Sequence, residues 1–312
     1  TQLCHALLSE RGEVSGARLA REALAAWQGL DAESSQAFFD VLAEEFSPDP
    51  DAILRCAEGY RESPTQANLV QLQNAVLAPR LALFQRLNMA PGGTAQIVEM
   101  RRRVLAGLRA HPQWSGVEAD LARLLGSWFN RGFLTLQRID WRTSAMVLEK
   151  LIEYEAVHAI QGWKDLRRRL AADRRCYAFF HPALPDEPVI FIEVALTRGM
   201  SARVQPLLDP ASPITDPAAA DSAIFYSITN CQEGLRGISF GNLLIKQVAE
   251  NLGREFPRVR TFATLSPIPD FRAWLEKASK GTATSEAPDQ AEVQRVLAAL
   301  AQPQWADDEA LR

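Results

Sequence analysis

The stretch of the sequence best suited to chemistry is a glycine-rich segment, SITNCQEGLRGISFGN, at Ser227–Asn242. It follows a run typical of a strand, precedes a run typical of a helix, and contains Gly234, Gly237 and Gly241. Glycine lets a backbone approach a ligand closely and adopt positive φ angles. Because a helix start favours anions, such a unit could hold a pyrophosphate. An ordinary strand-to-helix turn also fits the spacing, which is neither the Rossmann nor the P-loop pattern.

A second candidate is the serine in TLSPIP, at Thr264–Pro269. The two prolines restrict the backbone and remove two N–H donors. They would hold Ser266 at the end of a strand, where the sites of α/β proteins commonly lie. Taken alone, the stretch is explained more simply by a serine that serves a turn.

The first part of the chain, residues 1–170, predicts one helix after another and hence an all-α helical bundle domain. Capping boxes at Ser63–Gln66 and Ser115–Glu118 predict helix starts with those serines as N-caps. Two basic runs, Arg101–Arg103 and Arg167–Arg169, are interpreted as solvated helix faces.

The pattern changes near Arg174, and residues 171–312 predict a second, α/β domain. Short runs rich in β-branched and aromatic residues predict four strands, at Tyr177–Phe180, Val189–Leu196, Ser222–Thr229 and Arg260–Leu265. Apolar residues at helical spacing predict helices at Gly241–Leu252 and Asp289–Ala301. The glycine-rich segment and Ser266 would therefore lie in a strand–loop–helix–strand unit.

Composition excludes several functional classes. The net charge of −4 argues against a nucleic-acid partner, and the apolar runs are too short for a membrane span. The four cysteines are far apart and none forms a C-x-x-C pair, which predicts reduced thiols, no zinc site and a cytoplasmic protein without a secretory signal. Glu155-x-x-His158 occurs once, whereas a di-iron site needs two such pairs, so we interpret it as a surface pair on a helix.

Two longer stretches, AIFYSITNCQEGLRGISFGNLLIKQV and TFATLSPIPDF, resemble the malonyl-CoA decarboxylase family, and HPALPDEPVIFIEVALT upstream fits the same family. The resemblance covers about residues 175–275. It implies a GNAT-like, acetyltransferase-type α/β domain with a mixed, splayed central sheet that binds CoA across its centre. It also implies that Ser266 is the active-site serine. The same resemblance assigns the pyrophosphate to the loop of Arg236, Gly237, Ile238, Ser239, Phe240, Gly241 and Asn242.

The resemblance further implies a reaction that needs neither a metal nor a cofactor, because CoA is part of the substrate. Malonyl-CoA would lose CO2 to give the enolate of acetyl-CoA, which is then protonated at carbon. The family uses a histidine near its C-terminus as the proton donor, but this sequence has none after His181. We therefore expect the donor beyond Arg312, in a C-terminal segment that the catalytic domain lacks here. His181 itself is interpreted as structural.

Two departures from the family's pattern bear on the site. Ser239 stands where some members carry an acidic residue, so it receives no acid–base role. Asp270 stands where glycine commonly follows the SPIP motif, which affects the turn there. Two alternative functions remain open: an acyl-CoA-dependent acyltransferase and a non-catalytic CoA-binding scaffold. The wide apolar faces of the first part predict a homo-oligomer that forms through the helical domain.

Overall fold

The computed structural model describes residues 1–10, 12–240, 243–268, 270–280 and 290–302 of the 312-residue chain. The chain divides into two compact units, Thr1–Leu265 and Ser266–Arg312. The first unit contains a helical part followed by a five-stranded sheet with further helices. The second contains two helices among its described residues. The domain boundary near residue 170 stays a prediction.

Among the described residues up to Trp128, eight α-helices follow one another, which agrees with the predicted succession of helices. They are α1 (Gln2–Ser9), α2 (Glu13–Gln28), α3 (Ala32–Glu44), α4 (Pro50–Glu62), α5 (Gln66–Ala75), α6 (Pro79–Leu87), α7 (Gly93–Gly107) and α8 (Ser115–Trp128). None of the described helices is both long enough and apolar enough to cross a lipid bilayer.

Both predicted N-caps are wrong, although both helices exist. Helix α5 is capped by Thr65, whose Oγ1 accepts a hydrogen bond from the Asn68 N–H at 3.2 Å, while Ser63 ends the preceding helix. Helix α8 begins at Ser115 and has no side-chain cap, because a 3-10 turn at Pro112–Trp114 already starts the helical path upstream of it. A capping pattern therefore located these helices to within two residues without identifying the capping atom.

A mixed sheet with the strand order β1-β2-β3-β4-β5 forms the centre of the second part. Its strands are β1 (Thr135–Ile139), β2 (Arg174–Phe180), β3 (Pro188–Thr197), β4 (Ser222–Asn230) and β5 (Thr261–Thr264). Neighbouring strands are antiparallel except for β4 and β5, which are parallel. Four of these strands lie where the sequence predicts them. Strand β1 was missed, because it lies in the part predicted as helical and only Ile139 in it is buried.

Helices cover both faces of this sheet, which explains why nearly all of β2 and β3 is buried. The further helices described in the first unit are α9 (Ala145–Tyr154), α10 (Trp163–Arg169), α11 (Gln205–Leu208) and α12 (Leu243–Glu255). The second unit contains α13 (Phe271–Ser279) and α14 (Gln290–Leu300). On one face, residues such as Ile192 and Phe225 share a core with α12 and the helical part. On the other face, Phe191 packs with Leu151 of α9 and Leu166 of α10.

The two basic runs are not solvated faces throughout, and that interpretation is corrected here. Arg101, Arg168 and Arg169 are only 3%, 5% and 2% exposed. Their guanidinium groups are paired with Glu118, Asp173 and Glu193, in that order. A buried arginine is tolerated where carboxylates and carbonyl oxygens satisfy its five N–H donors. A run of basic letters does not show these partners, since they come from other elements.

The second unit buries the apolar residues of its two helices against each other. Leu275 and Ala278 of α13 pack with Val293 of α14, which gives the predicted helix at Asp289–Ala301 its apolar partner. Before α13, Asp270 has a positive φ of 60°. This conformation is the one that glycine adopts without steric cost, and it explains why the family pattern favours glycine at this position.

Replacement of Asp270 by glycine should therefore stabilise the second unit. The carboxylate of Asp270 makes no capping hydrogen bond to α13, so the substitution removes no such bond. We expect Asp270→Gly to raise the free energy of unfolding by about 1 kcal/mol and Asp270→Ala to lower it. Chemical denaturation followed by circular dichroism measures both changes. Equal effects of the two substitutions would contradict a strained backbone at this position.

Candidate active site

The candidate site begins where β4 and β5 part. The two strands pair from Ser222 with Thr261 to Phe225 with Thr264, and the N–H of Leu265 adds a last bond to the Phe225 carbonyl at 2.8 Å. Strand β4 continues to Asn230 beside β3. Five residues of β4, 226–230, thus extend beyond its pairing with β5. Within the described residues, this edge of β4 has no neighbouring strand and can meet an extended ligand.

A β-bulge coincides with the point of parting. Glu193 of β3 pairs with Ser227 and Val194 pairs with Phe225, so Tyr226 is an extra residue on β4. A bulge bends its strand and increases the local twist. Because Tyr226 directly follows the last residue paired with β5, the bulge bends β4 at the point where its pairing with β5 ends.

The glycine-rich loop that follows β4 is anchored by apolar residues and exposes polar ones. After a 3-10 turn at Glu233–Leu235, Arg236, Gly237 and Ser239 are exposed, whereas Ile238 and Phe240 pack against the main core. Gly237 has a φ of 80°, and an added Cβ would meet no atom within 4 Å. Glycine is needed at this position for its backbone angle and not for space.

The five described residues of the predicted phosphate loop thus form one continuous segment between β4 and α12. Gly241 and Asn242, the other two, lie outside the described residues. Helix α12 has no acidic residue in its first turn, so its positive dipole end is not offset there. Lys246, which the sequence interpretation overlooked, is exposed close to the start of the same helix.

The open part of β4 is held by a buried carboxylate that the sequence interpretation missed. Glu155 ends α9, and its carboxylate accepts hydrogen bonds from Ser227 Oγ at 2.8 Å and Thr229 Oγ1 at 3.1 Å. It also accepts from the backbone N–H groups of Val157 and His158, both at 2.9 Å. Glu155 and His158 are therefore not a surface pair as interpreted, since Glu155 is buried and faces the sheet. Four hydrogen-bond donors compensate the burial of this carboxyl group.

A second buried carboxylate, Glu193, lies at the same bulge. It is fully buried, and its Oε2 accepts a hydrogen bond from Arg169 at 2.6 Å. Burial raises its pKa to about 8; the positive charge of Arg169 opposes this shift, and the negative charge of Glu155 adds to it. The other carboxylate oxygen, Oε1, has no hydrogen-bond partner. The neutral acid is therefore the form that this environment favours near neutral pH.

The last histidine of the chain has a structural role, as interpreted. The imidazole of His181 meets the Trp128 carbonyl through Nε2 at 3.0 Å, and the Ala183 N–H donates to Nδ1 at 3.1 Å. Its ring also stacks near Phe129. Burial lowers the pKa of His181, so it is neutral at pH 7. The residue follows β2, two strands away from β4.

A large cleft elsewhere does not compete with this site. It has a volume of about 670 Å³ and lies beside β1, next to His181, but it contains none of the predicted site residues. Its two arginines, Arg138 and Arg142, are paired with Glu255 and Asp140. The cleft therefore offers no spare cation to an anionic ligand.

The predicted serine stands in the other unit. Ser266 is the first residue of the second compact unit, and it is exposed. The structure brings Arg236–Phe240 together at the end of β4, and the pairing of this loop with Ser266 stays a prediction. The serine's assignment rests on the TLSPIP motif, in which Ser266 directly follows Leu265 in the chain.

Comparison with known proteins gives a consistent result. The family model described as "Malonyl-CoA decarboxylase C-terminal domain" matches residues 132–312, and the corresponding N-terminal model matches residues 46–129. The mitochondrial malonyl-CoA decarboxylase of Anser anser anser is 37% identical over 284 residues, which is 85% of this chain and 56% of that protein. The enzyme of Rattus norvegicus is 35% identical over 75% of this chain and 50% of its own length. The chain thus spans about half the length of these curated relatives.

Two solved structures resemble the whole chain. The crystal structure of malonyl-CoA decarboxylase from Rhodopseudomonas palustris has 49% sequence identity and a TM-score of 0.88, and the match covers 99% of this chain and 75% of that one. The structure of the Agrobacterium vitis protein has 46% identity and a TM-score of 0.87, with the same coverage.

The buried acid at the bulge predicts an unusual dependence of stability on pH. The pKa of Glu193 is raised in the folded protein, so folding is favoured while the group keeps its proton. This contribution is complete below the unfolded pKa of about 4.3 and is lost as the pH rises to about 8. We expect the free energy of unfolding to fall by up to about 1.4 kcal/mol per pH unit across this range.

A Glu193→Gln variant tests this prediction, because glutamine resembles the neutral acid and does not titrate. Urea denaturation at pH 5.5, 6.5 and 7.5 should give a flatter profile for the variant than for the parent protein. Parallel profiles would show that Glu193 is ionised in the folded protein throughout this range.

Proposed function

We propose that this chain, which belongs to the malonyl-CoA decarboxylase family, provides the CoA-binding loop and the active-site serine of a carboxy-lyase that converts malonyl-CoA to acetyl-CoA and CO2. The observation that carries this proposal is the open edge of β4 directly before the glycine-rich loop. An extended thioester and an anionic head group need these two features side by side. The relatives reported above all bear the decarboxylase name, and no observation favours an acyltransferase or a non-catalytic scaffold.

In the proposed complex, each part of CoA meets a matching surface. The pantetheine amides would pair with backbone groups of β4 residues 226–230, in the way that an added strand pairs with a sheet edge. The pyrophosphate would lie at the loop from Arg236 to Asn242, where the guanidinium group and the start of α12 supply positive charge. Lys246 would add a second cation. The proposed pyrophosphate-binding residues are the seven predicted from the sequence, 236–242, of which the structure describes 236–240.

The proposed chemistry needs few groups because the substrate already contains its electron sink. The bond between the carboxylate carbon and the α-carbon breaks, and its electron pair moves onto the thioester carbonyl to give an enolate. CO2 leaves, and the α-carbon then takes a proton. We propose that Ser266 donates a hydrogen bond to the malonyl or thioester oxygen, a type of contact worth about 3 kcal/mol in the transition state. Neither a metal nor a further cofactor is part of this proposal.

The decarboxylase proposal is tested with the full-length protein that contains this chain. Acetyl-CoA and CO2 released from malonyl-CoA would be measured for the parent, for Ser266→Ala and for Ser279→Ala, a control serine on α13 of the same unit. We expect turnover by the parent, a loss of about 100-fold or more in Ser266→Ala, and no change in the control. A parent protein without turnover would contradict the proposed reaction, and an unaffected Ser266→Ala would contradict the serine's role.

We also propose that the protein forms a homo-oligomer through its helical part. Helices α4 and α5 form a hairpin in which no residue is buried. Leu54 on α4 is 62% exposed and Val70 on α5 is 50% exposed. A pair of helices cannot bury its apolar residues alone, but a second copy of the same hairpin would complete a four-helix arrangement around a two-fold axis.

The hairpin proposal predicts a charge-sensitive assembly. Leu54→Glu combined with Val70→Glu should convert the oligomer to a monomer in sedimentation measurements, because four buried carboxylates would meet at the two-fold axis. Val14→Glu on α2 is the control, since Val14 is 86% exposed and lies outside the hairpin. A parent protein that sediments as a monomer at micromolar concentration would contradict the proposal.

A cytoplasmic location is proposed on the basis of the cysteines. Cys4, Cys176 and Cys231 are buried as free thiols, and Cys56 is half-buried and free. Such thiols are typical of a reducing compartment. The curated relatives are named as mitochondrial proteins.

A further inference from the structure

We propose that Arg101, on helix α7 of the helical part, is the positioning residue of the phosphate loop and thereby sets the affinity for CoA. The inference rests on the proposed function, since it concerns the loop assigned to the pyrophosphate. It gives the helical part a role in ligand binding in addition to assembly.

Arg101 connects three elements through one buried guanidinium group. Its Nη1 donates to the Gly234 carbonyl at 2.7 Å, two residues before the predicted phosphate loop. Its Nη2 and Nε donate to Glu118 Oε1 on α8, at 2.7 and 3.2 Å. The side chain is almost fully buried, so water does not compete for these bonds. The carboxylate of Glu118 therefore fixes the guanidinium group, which in turn fixes the loop.

The backbone at Gly234 packs directly on the same helix. A Cβ atom at this position would lie 2.1 Å from the Val98 carbonyl oxygen and 2.8 Å from Val98 Cγ1. Val98 precedes Arg101 by three residues, so both project from one face of α7. The packing contact with Val98 and the hydrogen bond from Arg101 thus both hold Gly234. Any side chain at position 234 would push the backbone away from α7.

The position of Gly234 also determines the position of the exposed residues that follow it, Arg236 and Gly237. Leu235 follows Gly234 and is fully buried, and its carbonyl accepts a hydrogen bond from the Ile238 N–H at 3.1 Å. This bond closes the turn that exposes Arg236 and Gly237. Groups that bind an anion must be held to within about 0.5 Å of their working positions. Release of Gly234 would allow the whole turn to shift and would weaken the binding of a phosphate.

Arg80 provides a matched control because it has the same kind of environment without the loop. It is 5% exposed, and its Nε donates to Asp120 on α8 at 2.7 Å. Its Nη1 donates to the Leu42 carbonyl at 3.2 Å and to Ser47 Oγ at 2.8 Å. Both arginines thus link a carboxylate of α8 to a backbone carbonyl, but only Arg101 reaches the loop. Loss of either should lower stability, and only loss of Arg101 should alter CoA binding.

The experiment compares Arg101→Met, Arg101→Lys and Arg80→Met with the parent chain. Calorimetric titration gives the Kd of CoA, and hydrogen exchange follows the amides of residues 233–240. We expect Arg101→Met to raise the Kd about tenfold or more and to speed exchange in this segment. Arg101→Lys keeps one donor and should recover part of the affinity. Arg80→Met should leave the Kd within about twofold, although both methionine variants unfold at a lower temperature. In turnover by the full-length protein that contains this chain, the Arg101 variants should have a higher KM and an unchanged kcat.

Two outcomes would overturn the inference. One is an unchanged Kd in Arg101→Met, and the other is an equal loss of affinity in Arg80→Met, which would indicate general destabilisation. If Arg101→Met fails to fold, the comparison of Arg101→Lys with Arg80→Lys decides the question by the same criterion. A parent chain that does not bind CoA at millimolar concentration would instead remove the proposed function. The exchange rates at 233–240 would still report whether Arg101 holds the loop.

Discussion

A strand that leaves its hydrogen-bonding groups open on one edge must be held firmly on every other side. Strand β4 meets this requirement at its far end, where β3 pairs with the other edge and the carboxylate of Glu155 binds the hydroxyl groups of Ser227 and Thr229. The bulge at Tyr226 separates the closed half from the open half. These contacts hold the five residues of β4 that extend beyond its pairing with β5.

The helical part packs against the sheet and also contacts the segment that follows β4. Its apolar residues belong to the same core as one face of the sheet and helix α12. Through Val98 and Arg101 it also touches the loop at the open end of β4. A loop needs contacts of this kind because it has few internal backbone hydrogen bonds that could fix its conformation. The helices supply a rigid surface against which a flexible, glycine-rich segment can keep one conformation.

The sequence predicted elements whose signal is local, namely the succession of helices in the first part of the chain, the later helices at 241–252 and 289–301, and four of the five strands described. It missed β1, whose single buried residue, Ile139, leaves no apolar periodicity. It also placed Arg101 and Glu155 on the surface, because some of the partners that make their burial possible, Gly234 and Ser227, lie 133 and 72 residues away in the chain. The candidate loop was predicted through its glycines and the family resemblance. The hydrogen bond from Arg101 on α7 to this segment could not be predicted. A backbone carbonyl can accept such a bond whatever the residue type, so the sequence does not indicate it.

An open strand edge is also a hazard, because its free N–H and C=O groups can recruit a strand from another molecule and start aggregation. Here the stretch of β4 without a strand partner on this edge begins where β5 ends, and it spans five residues, or about 17 Å, of which only Asn230 is exposed. Strand β5 blocks any approach along the first half of β4. Strand β4 ends at Asn230, so a foreign strand could pair with at most five of its residues, about as few as the four that β5 pairs with. So short a pairing limits the stability that a foreign strand can gain at this edge.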